Sequence, residues 1–351
     1  MVKLYVLQAM QGDCLIIKYG EKESSHYIVI DGGMGKECTR ELNAFISKIK
    51  MQKEKINLMI LTHYDADHIQ GFLNLAKDSL IDSSCIEKIW FNYGKELSNK
   101  IKSNKKIQFF ISETSCETTR SQGKDFYDYI TQKGIDITSF IKEYQIYDIY
   151  SAKIKILSPS LIQLKRLVDE IGTTSGNTSL IENDSLYKDT AKIESDYDES
   201  IDFLLKKEYS EKNVTVSNFS SIAFLFEYMD HKILFMGDAV SSQVLNVLTN
   251  LGYSQQNKLK LDYCKISHHG SNSNTSPELI KILDCSNYII SSNWTRNRPG
   301  KACLSRIVEN SKQPVCFYCN YQYKNIFTVA EKEKYNMKFE IIHNNELVLE
   351  E

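Results

Sequence analysis

Nowhere in the 351 residues does an apolar run approach the ~18 consecutive residues that a membrane-spanning helix needs, so no membrane is expected as a partner. The opening segment, MVKLYVLQAM, has one Lys and is broken by polar Gln8, with Gln11 just beyond. It is too short and too polar for a secretory h-region and reads as a first strand. Net charge is nearly absent: 43 Lys and Arg stand against 45 Asp and Glu, giving -2. That excludes a protein held to nucleic acid by bulk charge alone, while leaving room for a local basic groove. A cysteine framework is missing too. Nine cysteines, an odd number without regular spacing, point to reduced thiols and a cytoplasmic setting. Cys316 and Cys319 form a CxxC with no second pair to complete a zinc site, and within PVCFYCNY they read as structural thiols in a strand. Histidine is scarce, with seven in the chain. What is present in quantity, 42% apolar and 25% charged residues, is ordinary for a globular protein with a real core.

The first seventy residues read as strands and turns. KLYVLQAM and CLIIKY flank Gln11-Gly12-Asp13, and HYIVIDGG ends in a glycine pair. Apolar Leu42, Phe45, Ile46 and Ile49 predict a helix over CTRELNAFISKIK. INLMILTH predicts a strand, HIQGFLNLAKD a helix and IEKIWF another strand. From about 100 to 150 the Lys- and Tyr-rich pattern is read as helical, and AKIKILSPS closes this half as a strand. Tyr127, Tyr129, Tyr144, Tyr147 and Tyr150 read as half-buried packing, with base stacking the rarer alternative. Residues 170–213, polar, acidic and rich in Ser, Thr and Asn, read as a surface insertion.

In the second half, SSIAFLFEYM and KILFMGDA predict a hairpin, followed by the helix SSQVLNVLTNLG, the strand LDYCKISHHG and a helix from Pro277. NYIISSN, VCFYCNYQ and KFEIIHN read as strands around a short helix, ACLSRIVENS. Strands alternating with helices in two halves predict one layered α/β domain over residues 1–351, with a helical and irregular insertion at about 95–213.

LTHYDADHIQG sets His63, Asp65, Asp67 and His68 where a strand stops and a helix begins. A solvated turn is the plain reading, but four ionisable groups in six positions strain a turn unless a cation balances the carboxylates. Two later stretches repeat the arrangement. KILFMGD ends in Gly237-Asp238 and YCKISHHG in His268-His269-Gly270, each at the carboxyl end of a predicted buried strand, where open α/β sheets put ligands. His26, His231 and His343 lie elsewhere and read as structural. Four of seven histidines gathered with carboxylates at strand ends predict a metal site.

His63-x-Asp65-x-Asp67-His68, then Gly237-Asp238, then His268-His269-Gly270-Ser271, resembles the metallo-β-lactamase fold superfamily, whose usual signature is HxHxDH. Asp65 at the third position, with HHGS downstream, is similar to the branch containing the C-terminal domain of the DNA-uptake channel protein ComEC. QGDCLII, VIDGG and NFSSIAFLF resemble that branch as well. The resemblance covers residues 1–75 and 214–310; the middle of the chain carries none of its motifs.

The resemblance implies a four-layer αββα sandwich and a metal-dependent hydrolase. By position, His63, Asp65, Asp67 and His68 would hold one or two divalent ions, Asp238 would bridge them or complete the shell, and His269 would be a ligand. Asp67 would hold the nucleophilic hydroxide (a helix cap is its plainer role), and His268 would contact the leaving group. Asp13 and Asp31 match family positions just outside the metals, where carboxylates orient ligand imidazoles. A shell this rich in carboxylate oxygen favours Mn²⁺ more than usual, beside Zn²⁺.

Two departures stand out: no His occurs between His68 and His231, and Arg298-Pro299 stands where relatives carry His-Pro. A phosphodiester is the first substrate expectation, as nucleic acid or nucleotide, with Ser271, Arg298 and Lys301 as phosphate contacts; a solvated helix face is the alternative for the basic pair. A second reading is a small-molecule ester, thioester, lactam or cyclic-nucleotide hydrolase. A third is a catalytically impaired binding or regulatory module. The sequence lacks the ComEC channel domain, so a freestanding cytoplasmic hydrolase is expected, and a partner protein encoded nearby enters by analogy only.

Overall fold

The structure, a computed structural model, describes residues 1–21, 24–103, 117–172, 195–211 and 214–349. Its first half runs β1 (Val2–Val6), β2 (Leu15–Glu21), β3 (Ser24–Ile30), α1 (Lys36–Met51), β4 (Leu58–Ile60), α2 (Ala66–Lys77), β5 (Lys88–Trp90), α3 (Gly94–Lys102), α4 (Glu117–Gln132) and β6 (Asp136–Thr138). The chain continues as β7 (Ile146–Ile149), β8 (Ala152–Ser158), α5 (Leu161–Gly172), α6 (Ile201–Leu204), α7 (Val216–Phe219), β9 (Ala223–Tyr228), β10 (His231–Phe235) and α8 (Ser241–Asn250). Then follow β11 (Leu259–Lys260), β12 (Tyr263–Lys265), α9 (Pro277–Lys281), β13 (Leu283–Asp284), β14 (Asn287–Ile290) and α10 (Lys301–Asn310). The last elements are β15 (Val315–Cys319), α11 (Val329–Lys334), β16 (Met337–Ile341) and β17 (Glu346–Leu349).

Seven strands form one sheet in the order β17-β1-β2-β3-β4-β5-β6, and eight form another, β16-β15-β14-β12-β10-β9-β8-β7. Each sheet changes from antiparallel to parallel part-way: β1 to β3 meander and β3 to β6 run parallel, while β7 to β10 meander and β10, β12, β14, β15 and β16 run parallel.

The two-residue period of the strands sorts side chains between layers. Leu58 and Ile60 on β4, Phe224 and Phe226 on β9, and Ile233 and Phe235 on β10 share one buried cluster with Val2, Leu4, Leu15, Ile17 and Trp90, the filling between the sheets. Their neighbours face outward. Met59 and Val29 pack with Leu42, Ile46, Phe72 and Phe126 of α1, α2 and α4, and Leu234 and Leu225 pack with Val244, Leu279 and Leu304 of α8, α9 and α10. Helices therefore cover the outer face of each sheet, and the fold is the expected four-layer αββα sandwich.

Three expectations change. The stretch read as helical from about 100 to 150 contains β6 and β7, and β8 is an interior strand of the second sheet, so the range 95–213 supplies framework as well as insertion. β6 is three residues long and β7 alternates exposed and half-buried positions at a sheet edge, too little apolar signal to read from sequence. Residues 104–116 and 173–194 lie outside the described residues. The rest of the polar stretch is not merely surface. Ile201 and Leu204 are buried, Tyr197 donates to the Pro299 carbonyl (3.0 Å) and Tyr209 to that of Ser273 (2.9 Å). Strand β17, unforeseen, pairs with β1 from Val2↔Leu349 to Tyr5↔Glu346.

All eight described cysteines are buried, with no disulfide among them, and Cys316 and Cys319 lie in β15. Among the described residues no helix is long and apolar enough to cross a membrane.

Candidate metal centre

Every residue at the centre follows the carboxyl end of a strand or fills the turn between two. Asp13 lies between β1 and β2, Asp31 follows β3, His63 to His68 follow β4, Asp238 follows β10, and His268 and His269 follow β12. Backbone bonds tie these ends together: Asp31 N–H to Ile60 O (2.8 Å), Ile222 N–H to Thr62 O (3.0 Å), His268 N–H to Gly237 O (2.9 Å) and Gly32 N–H to His68 O (2.7 Å). The loops are strained where the ligand candidates turn inward. Gly237 has φ 48°, and Asp31, His268 and His269 sit at φ 58°, 49° and 54°. Each such non-glycine residue costs on the order of 1–3 kcal/mol and persists only where its surroundings over-determine it.

Asp238, 2% exposed, stands in the middle. Its Oδ1 lies 3.5 Å from His68 Nε2 and 3.6 Å from His269 Nε2; its Oδ2 lies 3.8 Å from His63 Nε2 and 3.5 Å from His268 Nε2. Asp67 Oδ2 is 3.6 Å from His269 Nε2, and Asp65 Oδ2 is 3.7 Å from His63 Nε2.

The far nitrogen of each imidazole is engaged. His63 Nδ1 meets Thr62 Oγ1 (3.0 Å), His68 Nδ1 meets Asp31 Oδ2 (2.7 Å) and His269 Nδ1 meets the Ser291 carbonyl (3.1 Å). Those partners put the proton on Nδ1 and turn each Nε2 lone pair inward. Nε2 of His63, His68 and His269, with Asp238 Oδ1, are buried and have no hydrogen-bond partner. Buried polar atoms are normally paired, so four orphans aimed at one another need an explanation.

The charges say the same. Burial and neighbouring Asp67 push the Asp65 carboxyl up to about 7. Burial, with His68 beside it, lowers His63 to about 4. Burial disfavours charge on His68 and Asp238 as well. Even so, Asp238 and Asp31 hold His68 well above its ordinary value, and His268, His68 and His269 hold Asp238 well below its own. The crowded carboxylates thus favour positive charge at the point that the Nε2 atoms face.

Residues 8–145 match the model of the Metallo-beta-lactamase superfamily. That part of the chain resembles a metallo-β-lactamase superfamily domain. No curated protein matches the chain. Among solved structures, Zn(2+)-bound PqqB from Methylobacterium extorquens aligns over 99% of this chain and 100% of its own, at 9% identity and TM-score 0.43. A diphosphatase of the PhnP family aligns over 100% and 98%, at 10% identity and TM-score 0.41. CmlA, a diiron β-hydroxylase from Streptomyces venezuelae, aligns over 99% and 53%, at 10% identity and TM-score 0.39, so the chain spans about half the length of that protein.

Drawn from both halves of the chain, the donor set fits a divalent cation. His63, His68 and Asp238 offer ligand atoms within 4.8 Å of one another, as do Asp67, His68 and His269, and Asp13, Asp238 and His269. Ligands ~2.0–2.2 Å from a common ion lie roughly 3–4 Å apart, the spacing seen. His268 stands aside from these triads. Its Nδ1 meets Asn274 Oδ1 (3.0 Å) and its Nε2 meets Asn218 Nδ2 (3.3 Å), the pattern of a neutral ring. Burial lowers its pKa to about 4, Asp238 opposing and Arg298 adding to the effect.

The basic residues divide. The Arg298 guanidinium lies near enough to act on His268 and makes no hydrogen bond or ion pair among the described residues. Lys301 does not fit the phosphate role. It is 3% exposed, and its ammonium meets Glu331 (3.2 Å) and the Tyr197 carbonyl (3.4 Å) over the Phe327 ring. Ser271 Oγ accepts the Ser273 N–H (3.4 Å) within the turn after His269. Tyr150 stacks on His26 (4.4 Å) at the start of β3, the end opposite Asp31, and so offers no base platform at the centre. Sequence reasoning missed Thr62, Asn218, Asn274, Ser291 and Lys265. All are neutral or apparently ordinary until the fold brings them under a histidine or its carboxylate.

Proposed function

We propose that the two halves act as one metal-dependent hydrolase of phosphodiesters, a phosphodiesterase or nuclease related to the ComEC-like branch. The observation that carries this reading is the set of unpartnered Nε2 atoms of His63, His68 and His269 around Asp238, with an unpaired Arg298 at the rim beside His268. His63, Asp65, Asp67, His68, His269 and both oxygens of Asp238 would hold Mn or Zn. Five carboxylates (Asp13, Asp31, Asp65, Asp67, Asp238) against one buried ammonium, Lys265, leave a charge that two divalent ions balance better than one. A bound ion of this kind polarises a phosphoryl oxygen and brings the ionisation of water near neutral pH.

The chain's own groups do the rest. Asp67, in the first turn of α2, accepts a hydrogen bond from the attacking water and aims it. Arg298 clamps non-bridging phosphoryl oxygens through its planar fork, which a histidine cannot do. His268, with Nε2 between Asp238 and Asn218, would contact the leaving group.

Metal content by mass spectrometry, together with turnover of a chromogenic bis-aryl phosphodiester, tests the reading. Purified protein should carry about one or two equivalents and turn over; Asp67→Ala should not. Single-stranded DNA, duplex DNA, RNA and cyclic dinucleotides assayed side by side narrow the substrate. Metal-free protein of unchanged stability overturns the reading.

A further inference from the structure

Lys265 is the last residue of β12, three positions before the paired histidines, and it is fully buried. A lysine is almost never buried without a partner. Its ammonium donates to Asp13 Oδ2 and to the Ile266 carbonyl (3.0 Å). Asp13, 1% exposed, comes from the β1–β2 turn, 252 positions away in sequence. Its other oxygen, Oδ1, lies 3.4 Å from His269 Nδ1 and has no hydrogen-bond partner of its own. A chain of contacts thus runs from Lys265 through Asp13 to the nitrogen of His269 that does not face Asp238.

We propose that Lys265 is a positioning residue of the metal centre: it holds Asp13 in place, so that Asp13 fixes the ring of His269 with Nε2 toward Asp67 and Asp238. The proposal rests on the metal-centre reading above and specifies how that centre is held.

The physical need is plain. A carboxylate sealed from water turns toward the nearest donor unless a cation holds it. Released from Lys265, the Asp13 carboxylate would no longer be held beside Nδ1 of His269. The Ser291 carbonyl alone would then set the ring, from one direction (3.1 Å). Carboxylates behind ligand histidines raise ligand basicity and fix the tautomer, and losing one weakens metal binding roughly 10- to 100-fold. Lys265 stands one step further out and should act at the lower end of that range.

The test uses the full chain, with Co²⁺ as the probe, because its visible absorption reports ligand number and geometry without turnover. Titrations compare the wild type with Lys265→Met and with Lys265→Met/Asp13→Asn, the second variant removing both buried charges so that neither is left unpaired. The expected result is about tenfold weaker Co²⁺ binding and an altered absorption band in both variants, with the double variant folding as the wild type does. Wild-type affinity and spectrum in the folded double variant overturn the proposal and leave Lys265 a packing residue. A wild type that takes up no Co²⁺, Mn²⁺ or Zn²⁺ overturns the metal-centre reading and this proposal with it.

Discussion

One carboxylate does three jobs at the residue scale. Asp31 accepts the Thr62 N–H (2.7 Å), the Thr62 hydroxyl (2.7 Å) and His68 Nδ1 (2.7 Å), all fully buried. Replacing Asp31 with Asn offers one oxygen where two served and presents a second donor to His68. A buried donor left without an acceptor costs about 1–3 kcal/mol. Asp31→Asn should therefore lose roughly 2–4 kcal/mol in urea unfolding and roughly 10- to 100-fold in metal affinity, while Thr62→Val loses less on both counts. The carboxylates and histidines of this centre were legible in the sequence because they crowd into three short segments beside apolar runs. Lys265 was not, because a lysine alternating with apolar residues in a strand looks like a solvated one until Asp13 is brought to it. Lys301 misled for the opposite reason: a lysine in the first turn of a helix reads as free, and Glu331, 30 positions on, neutralises it.

At the scale of single elements, α2 gives up a stabilising cap. Asp65 is its N-cap residue, yet the side chain makes no capping bond and leans toward His63. An N-cap carboxylate usually contributes about 1 kcal/mol; here it adds repulsion. The Asp65 pKa is raised to about 7 by burial and by Asp67. An acid with a raised folded pKa contributes stability that is present below its unfolded value and is lost as pH climbs through the folded one. In chelated protein, Asp65→Asn should accordingly be neutral below about pH 4 and stabilising, on the order of 1–3 kcal/mol, above about pH 7. Denaturant melts across that range decide it. The β1–β2 turn is held just as closely. A Cβ on Gly12 would stand 1.8 Å from the Asp67 carbonyl oxygen, so Gly12→Ala must push the first turn of α2 away. Overpacking of this kind costs about 1–3 kcal/mol, and calorimetric titration should show metal binding falling with it. Long elements with regular periods were readable from sequence; β6 and β17, short and set by partners far along the chain, were not.

For the whole molecule, the centre is where the two sheets are cross-linked. His63 and His68 belong to the first sheet's strand ends and Asp238 and His269 to the second's, so an ion shared among them binds the folded state and not the unfolded one. At a free concentration 100 times its dissociation constant, a ligand of that kind stabilises by about 2.7 kcal/mol. Scanning calorimetry should show the Tm rising by roughly 3–5 °C between chelated and Mn²⁺- or Zn²⁺-loaded protein, at about 1–2 °C per kcal/mol for a chain of this length. An unchanged Tm would mean that the two halves share no ion. A layered α/β domain was readable from strands alternating with helices in both halves, and the αββα order came from the resemblance to the superfamily. The sheet order was not, because parallel neighbours such as β10 and β12 are joined through intervening helices and carry no local register signal.

The pairing of β17 with β1 has a consequence for biosynthesis. The first sheet has an open edge along Val2–Val6 until residues 346–349 have left the ribosome, and at about 5–20 residues per second the HxDxDH loop waits on the order of tens of seconds for the rest of its shell. During translation, the nascent chain displays histidines and aspartates without the cage that would select among cations. An ion that draws on both halves can therefore be caged only once His269 has emerged, so closure of the shell comes late in synthesis.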